Sequence, residues 1–349
     1  KKHVNDIFML TGYGAMYLND ALKDSGINFY VSRNEAAAPM MAEAYSKALN
    51  KISAVCVTAG PGATNAIPGL AEAFVDSAPI IVLSGQVEKK FTTSNYKNYN
   101  IRSFGIAEFS VTEAIKKFTK YSVTINNPYN CLYELEKAIY IAQQGRKGPV
   151  WIEVPLDVQS FKIFDKKRLK KFKIPLKKKN KINLRNFFQV LKKSQKPLFI
   201  LGNGFKQSDS KKIFEQVNNK LNIPFFTSRF GIDLFPFSKY NNMGLAGIKG
   251  QKYNREILSE TDLIISLGCR MAPALTSDNK NIFKKNTKKI MIDIDKTSLN
   301  HPFLKIDYKF NTNVNDFLKE LRDQLPNRSI IYNKKKNWNI FCNNLKKKN

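Results

Sequence analysis

Two kinds of hydrophobic pattern alternate along the chain. "NDIFML", "SAVCVT", "PIIVLSG" and "GPVWIEVP" are short, continuous apolar runs bounded by Gly, Pro or polar residues. They are rich in Ile and Val, which predicts strands buried on both faces. Between them lie longer stretches with apolar positions at helical spacing: "GAMYLNDALKDSG", "AAAPMMAEAYSKALN", "NAIPGLAEAFVDS" and "NCLYELEKAIYIAQQG". Asn28 to Val31 reads as a further extended segment. Such alternation implies an open parallel α/β sheet. Residues 183–327 repeat the style, with "KPLFILGNGF", "IPFFTS", "TDLIISLGCR" and "KKIMIDID" as strands and "NDFLKELRDQL" as a closing amphipathic helix.

The expected class is therefore α/β, with two open parallel-sheet domains, over 1–165 and 183–327. A length of 349 residues agrees, at roughly 100–200 per domain. Between them, "KKRLKKFKIPLKKKNKI" (166–182) is a basic run broken by a proline and reads as a solvated linker. Residues 328–349 carry too little apolar content for a domain and read as a tail, or as the first turns of a further one.

Composition narrows the function classes. No apolar run approaches the roughly 18–20 residues that span a bilayer, and the N-terminus has no signal-peptide pattern, so a cytoplasmic protein with no membrane partner is expected. Cys56, Cys131, Cys269 and Cys342 are scattered without metal-ligand spacing, so free thiols and no metal site are expected within the chain. The net charge of +30 comes from lysines spread along the chain among many asparagines, a pattern that AT-rich codon usage produces. With no nucleic-acid-binding motif beside it, no nucleic-acid partner is expected. His3 and His301 are the two histidines, and neither lies near a nucleophile turn, which weakens hydrolase readings.

Three stretches carry candidate chemistry. "TAGPGATNAIPGLAEAFVDSAPIIVLSGQ" (58–86) follows a strand and is expected to enter a helix near Thr64. Gly60 and Gly62 allow a tight turn and close approach of a ligand, Pro61 stiffens it, and the amides of the helix start favour an anion or polar ring edge. An ordinary strand-to-helix turn would look similar. "LTGYGAMYLNDAL" has Gly12 and Gly14 in the first such turn, but Tyr17 stands where a dinucleotide fingerprint needs its third glycine. In "SRNEAAAPMMAEAYSKA", Glu35 heads an alanine-rich helical stretch, where the bland reading is a cap or first-turn acid.

Together with "FTKYS" and "GRKGPVWIEVPLDVQ", these stretches resemble the pyrimidine-binding domain of thiamine-diphosphate enzymes of the acetolactate synthase type. "KPLFILGNG", "GLAGIKGQKYNREILSETDLIISLGCR" and "IMIDIDKTSL" are similar to their central domain, so the resemblance covers nearly the whole chain. The opening "MLTGYGAMYLNDAL" looks closest to a branch associated with bacterial surface-sugar biosynthesis, where the acceptor is a keto-sugar nucleotide. The resemblance implies a decarboxylase or carboligase that moves a two-carbon unit from pyruvate to a carbonyl acceptor. Glu35 would be the catalytic glutamate that hydrogen-bonds N1′ of the cofactor's aminopyrimidine. Pro61, Gly62 and Asn65 would line the pyrimidine pocket, and Gly12 and Gly14 its neighbouring wall. Gln86 matches a family position without a definite role. The resemblance further implies a 2-keto acid substrate, a homo-oligomer with the site at a subunit interface, Mg²⁺ with the diphosphate, and FAD as an option at 202–204 or 244–250.

The chain departs from the family pattern in three places. Asn34 stands where His is frequent, and Ile106, Ala107 and Glu108 stand where Phe-Gln-Glu is frequent, which puts acetolactate synthesis itself in doubt. No Gly-Asp-Gly occurs, so the ligands for Mg²⁺ and diphosphate are expected in a further C-terminal domain. The expectation is a fragment of a longer enzyme. The alternatives are half of a split enzyme and a non-catalytic subunit of the same fold.

Overall fold

The computed structural model describes residues 4–176, 181–276, 282–325 and 336–348. His3 and the boundary expected at 327–328 lie outside them. The chain divides into two compact units, 1–177 and 178–349, a division that falls inside the basic stretch.

The first unit has a six-stranded sheet: β1 Asp6–Met9, β2 Asn28–Val31, β3 Ser53–Val57, β4 Ile80–Gln86, β5 Tyr121–Thr124 and β6 Val150–Pro155. Their order is β2-β1-β3-β4-β6-β5, and every pair is parallel. Helices α1 Met16–Lys23, α2 Ala37–Leu49, α3 Gly60–Asn65, α4 Ile67–Asp76, α5 Val111–Ala114, α6 Cys131–Gln143 and α7 Leu156–Gln159 connect or follow the strands. The inner strands β1, β3, β4 and β6 are buried on both faces, as continuous apolar runs require, whereas β2 at the edge is exposed. On one face Val55, Val57, Val82 and Trp151 pack with Ala38 and Ala42 of α2 and Leu70 of α4. On the other, Ile81, Ile152 and Val154 pack with Ala138 and Ala142 of α6. The described lysines of the basic stretch are exposed, yet its backbone is anchored: Lys170 N donates to Tyr129 O at 3.0 Å, and Phe172 sits between Tyr133 and Tyr140.

The second unit repeats the plan with β7 Pro197–Leu201, β8 Phe225–Thr227, β9 Asn242–Leu245, β10 Leu263–Leu267, β11 Lys288–Asp293 and β12 Tyr308–Asn311. The order is β12-β11-β10-β7-β8-β9, again all parallel. Its helices are α8 Arg185–Lys193, α9 Asn203–Gln207, α10 Lys211–Leu221, α11 Asn254–Glu260, α12 Pro273–Thr276, α13 Val314–Gln324 and α14 Lys336–Lys348. One face is an aromatic core in which Phe199, Phe205, Phe225 and Phe235 surround Phe214 at centroid distances of 5.3–5.8 Å. On the other face lies a second core, which takes in part of the stretch expected to be a tail or the first turns of a further domain. Trp338 and Cys342 of α14 are buried in that core, and Trp338 Nε1 donates to Pro197 O at 2.9 Å. A few well-placed apolar residues make the helix part of this unit, despite its lysines. No helix among the described residues is long and apolar enough to cross a membrane, and all four cysteines are unpaired.

Candidate active site at the carboxyl ends of β1, β2 and β3

Strand order places the site. From β1 the chain steps outward to β2, then returns to the other side of β1 for β3. The crevice at such a reversal, outside the carboxyl ends of the strands, is where open α/β sheets bind ligands. The segments that follow β1, β2 and β3 carry Gly12 and Gly14, Glu35, and, in α3, Pro61, Gly62 and Asn65 respectively.

Glu35 leaves β2 through a turn that its neighbours fix. Ser32 N donates to Met9 O at 2.8 Å, and Ser32 Oγ to Asn34 O at 2.9 Å. Asn34 Oδ1 accepts from Ala36 N at 2.8 Å and so satisfies an amide at the start of α2. The capping role that Glu35 could have filled therefore falls to Asn34. Glu35 Oε2 instead accepts from Asn65 Nδ2 at 2.8 Å, and the same amide lies 3.4 Å from Asn34 Oδ1. Oε1 accepts no hydrogen bond from the described residues, and it lies 3.2 Å from the point a Cβ on Gly62 would occupy. Glu35 is half-buried.

The helix that bears Asn65 starts at Gly60, not near Thr64 as the sequence suggested. Gly60 adopts φ +56, and the loop 103–109 presses on it so closely that a Cβ there would come within 1.7 Å of Ala107 O. Pro61 occupies the first turn of α3, where its missing N–H costs nothing, and its ring is exposed. Ala107, at φ +54, thus sits over the turn, where the family pattern puts a glutamine. Its loop is pinned by Glu108, which accepts from Thr93 Oγ1 at 3.0 Å, and by Gln86, whose Nε2 donates to Phe109 O at 3.1 Å. That hydrogen bond gives Gln86 a structural role.

The sequence reading missed two residues. Gln159, the last residue of "GPVWIEVPLDVQ", donates from Nε2 to Gly14 O at 2.7 Å and Val154 O at 2.6 Å, and so ties α7 to the loop after β1. The motif was visible, but this role depends on a contact 145 residues away in sequence. Thr58 accepts from Gly14 N at 3.0 Å. Nothing in the sequence distinguishes it from any other strand-end threonine. Deeper in the sheet, Glu153 accepts from Thr124 Oγ1 at 2.9 Å, and burial pushes its carboxyl up to about 7.

Two models of one family match the chain. The thiamine pyrophosphate enzyme N-terminal TPP binding domain matches residues 1–105, and the thiamine pyrophosphate enzyme central domain matches 184–321, together more than half of its length. The chain belongs to the thiamine pyrophosphate enzyme family. Among its relatives, the acetolactate synthase large subunit of Buchnera aphidicola (from Schizaphis graminum) is 28% identical over 96% of this chain and 58% of its own length. That of Lactococcus lactis is 32% identical over 85% of this chain and 50% of its own length. The chloroplastic acetolactate synthase 2 of Nicotiana tabacum is 27% identical over 86% and 44%. The chain thus spans about half the length of the curated relatives it matches. A solved Mycobacterium smegmatis protein, provisionally designated a thiamin diphosphate-dependent enzyme, shares the fold. Its TM-score is 0.71 at 18% identity, over 93% of this chain and 60% of its own.

Within this family fold, the glycines at 202–204 and 244–250 are explained by contacts inside the second unit. A Cβ on Gly202 would lie 2.1 Å from Gly268 O, and one on Gly247, at φ +99, 2.4 Å from Ala274 O. These turns need glycine with or without a flavin.

Proposed function

We propose that residues 1–177 form the pyrimidine-binding half of a thiamine-diphosphate site in an acetolactate synthase-like carboligase. The observation that carries this reading is the state of Glu35. Asn65 fixes one carboxylate oxygen, and the other, beside Gly62, accepts no hydrogen bond from the described residues. An oriented carboxylate oxygen with no donor among the described residues suits the N–H edge of a heteroaromatic ring. Bound there, the cofactor would supply the electron sink for decarboxylating a 2-keto acid. This chain would hold the pyrimidine against Gly62, keep a proton shared at Glu35 Oε1, and exclude water with the loop bearing Ala107. Mg²⁺ and the diphosphate would be held by residues outside this chain, across an interface between subunits of a homo-oligomer. FAD gains no support from the second unit's glycines and stays outside this reading. The acceptor would be a carbonyl compound. Alanine at 107 leaves more room beside the Gly60 turn than glutamine would, which favours a larger acceptor such as a keto-sugar nucleotide over a second 2-keto acid.

The test is a calorimetric titration of thiamine diphosphate, with Mg²⁺, into the complete polypeptide that carries these residues. Saturable binding that is lost on removing Mg²⁺ supports the reading. No binding by a folded protein would refute it and favour a non-catalytic subunit.

A further inference from the structure

We propose that Thr58 is the positioning residue of this site, on the reading that the site holds thiamine diphosphate. Thr58 directly follows β3, and three of the glycines that mark the site converge on its side chain. A Cβ on Gly12 would lie 2.5 Å from Thr58 Cβ, one on Gly62 2.5 Å from Thr58 Cγ2, and one on Gly14 3.2 Å from Thr58 Oγ1. Real Cβ atoms do not approach so closely at the first two positions, so Thr58 fills space that only glycine leaves open. The hydroxyl does a second job, accepting from Gly14 N at 3.0 Å. One side chain therefore joins the loop after β1 to the loop after β3, across the crevice where the strand order reverses. On its far side, the Cβ position of Gly62 lies 3.2 Å from Glu35 Oε1. The glycines then serve the cofactor indirectly. They admit the threonine, and the threonine sets the distance between the two walls.

A packing role and a positioning role predict opposite orders of variants. Thr58→Ser keeps the hydroxyl and loses the methyl. Thr58→Val keeps the shape and strands the Gly14 N–H against an apolar group. Each variant of the complete polypeptide is titrated with thiamine diphosphate and Mg²⁺, and the melting temperature of the cofactor-free protein is recorded. Positioning predicts Thr58→Ser within about threefold of wild type and Thr58→Val weakened about tenfold, a factor that one unmade hydrogen bond can supply. If Thr58→Val does not fold, Thr58→Ala against Thr58→Ser isolates the same hydroxyl, and the Ala variant should bind the weaker of the two. Equal affinity in either pair, or a larger loss for Ser than for Val, would overturn the assignment while leaving the site intact. Absence of binding by wild type would instead overturn the underlying reading, and this assignment with it.

Discussion

Glu153 shows most clearly what folding imposes on a single residue. It is a carboxyl within the central part of the sheet, 3% exposed, with Thr124 as its hydroxyl partner. Its proton is held up to about 7 in the folded chain, against an ordinary value of 4.5. Between those values the folded state binds more protons than the unfolded state. Stability therefore falls as pH rises through that window, and the full penalty stands above it. Glu153→Gln keeps the acceptor for Thr124 and never ionises. It should melt a few degrees above wild type near about pH 8, with the gap shrinking toward about pH 5. Thermal scans at the two pH values check this, and a constant gap would show that Glu153 does not titrate with folding. At this scale the sequence was informative where chemistry travels with a motif. Glu35, Asn65 and Gly62 were all legible and are brought together. Thr58, Gln159 and the burial of Glu153 were not, because each depends on which distant residue lies opposite.

At the level of elements, the contact between α2, which follows Glu35, and α4, which follows Asn65, is a close one. It is close because Gly69 of α4 faces the first turn of α2. A Cβ there would lie 2.7 Å from Pro39 Cγ and 3.0 Å from both Ala36 O and Met40 N. Helix propensity alone would favour Gly69→Ala by about 1 kcal/mol. Two of the three obstacles are backbone atoms that cannot swing aside, and overpacking costs about 1–3 kcal/mol. The net expectation is a loss of about 1 kcal/mol in urea denaturation, partly recovered by adding Pro39→Ala. A stabilised Gly69→Ala variant would mean that the helices have slack. The central strands were legible because their apolar runs are continuous. β5, β9 and β12 were missed, and all three are edge strands. β12 alternates half-buried and exposed residues, while β9 is short and interrupted by Gly244 at φ +83.

For the whole molecule, a six-stranded parallel α/β sheet occurs twice, with different strand orders, and the candidate site lies at one crevice of the first unit. The loops differ as well. In the first unit, at the strand-order reversal, one oxygen of Glu35 accepts no hydrogen bond from the described residues and lies beside Gly62. In the second unit the corresponding turns close on each other, with Gly204 N donating to Gly268 O at 2.9 Å. The family was legible in the sequence because its motifs fall on the loops that build the crevice. The fold of 336–348 was not, because a lysine-rich stretch hides the few apolar residues that bury it. The central claim is that Glu35 handles a proton for the bound cofactor. The most direct test is the exchange rate of the C2 proton of thiamine diphosphate bound to the complete polypeptide, in wild type and in Glu35→Gln. The account predicts a rate lower by about two or more orders of magnitude in the variant, with folding and melting temperature preserved, because a general acid–base group is worth that much. Exchange at the wild-type rate in a folded, cofactor-bound variant would contradict it.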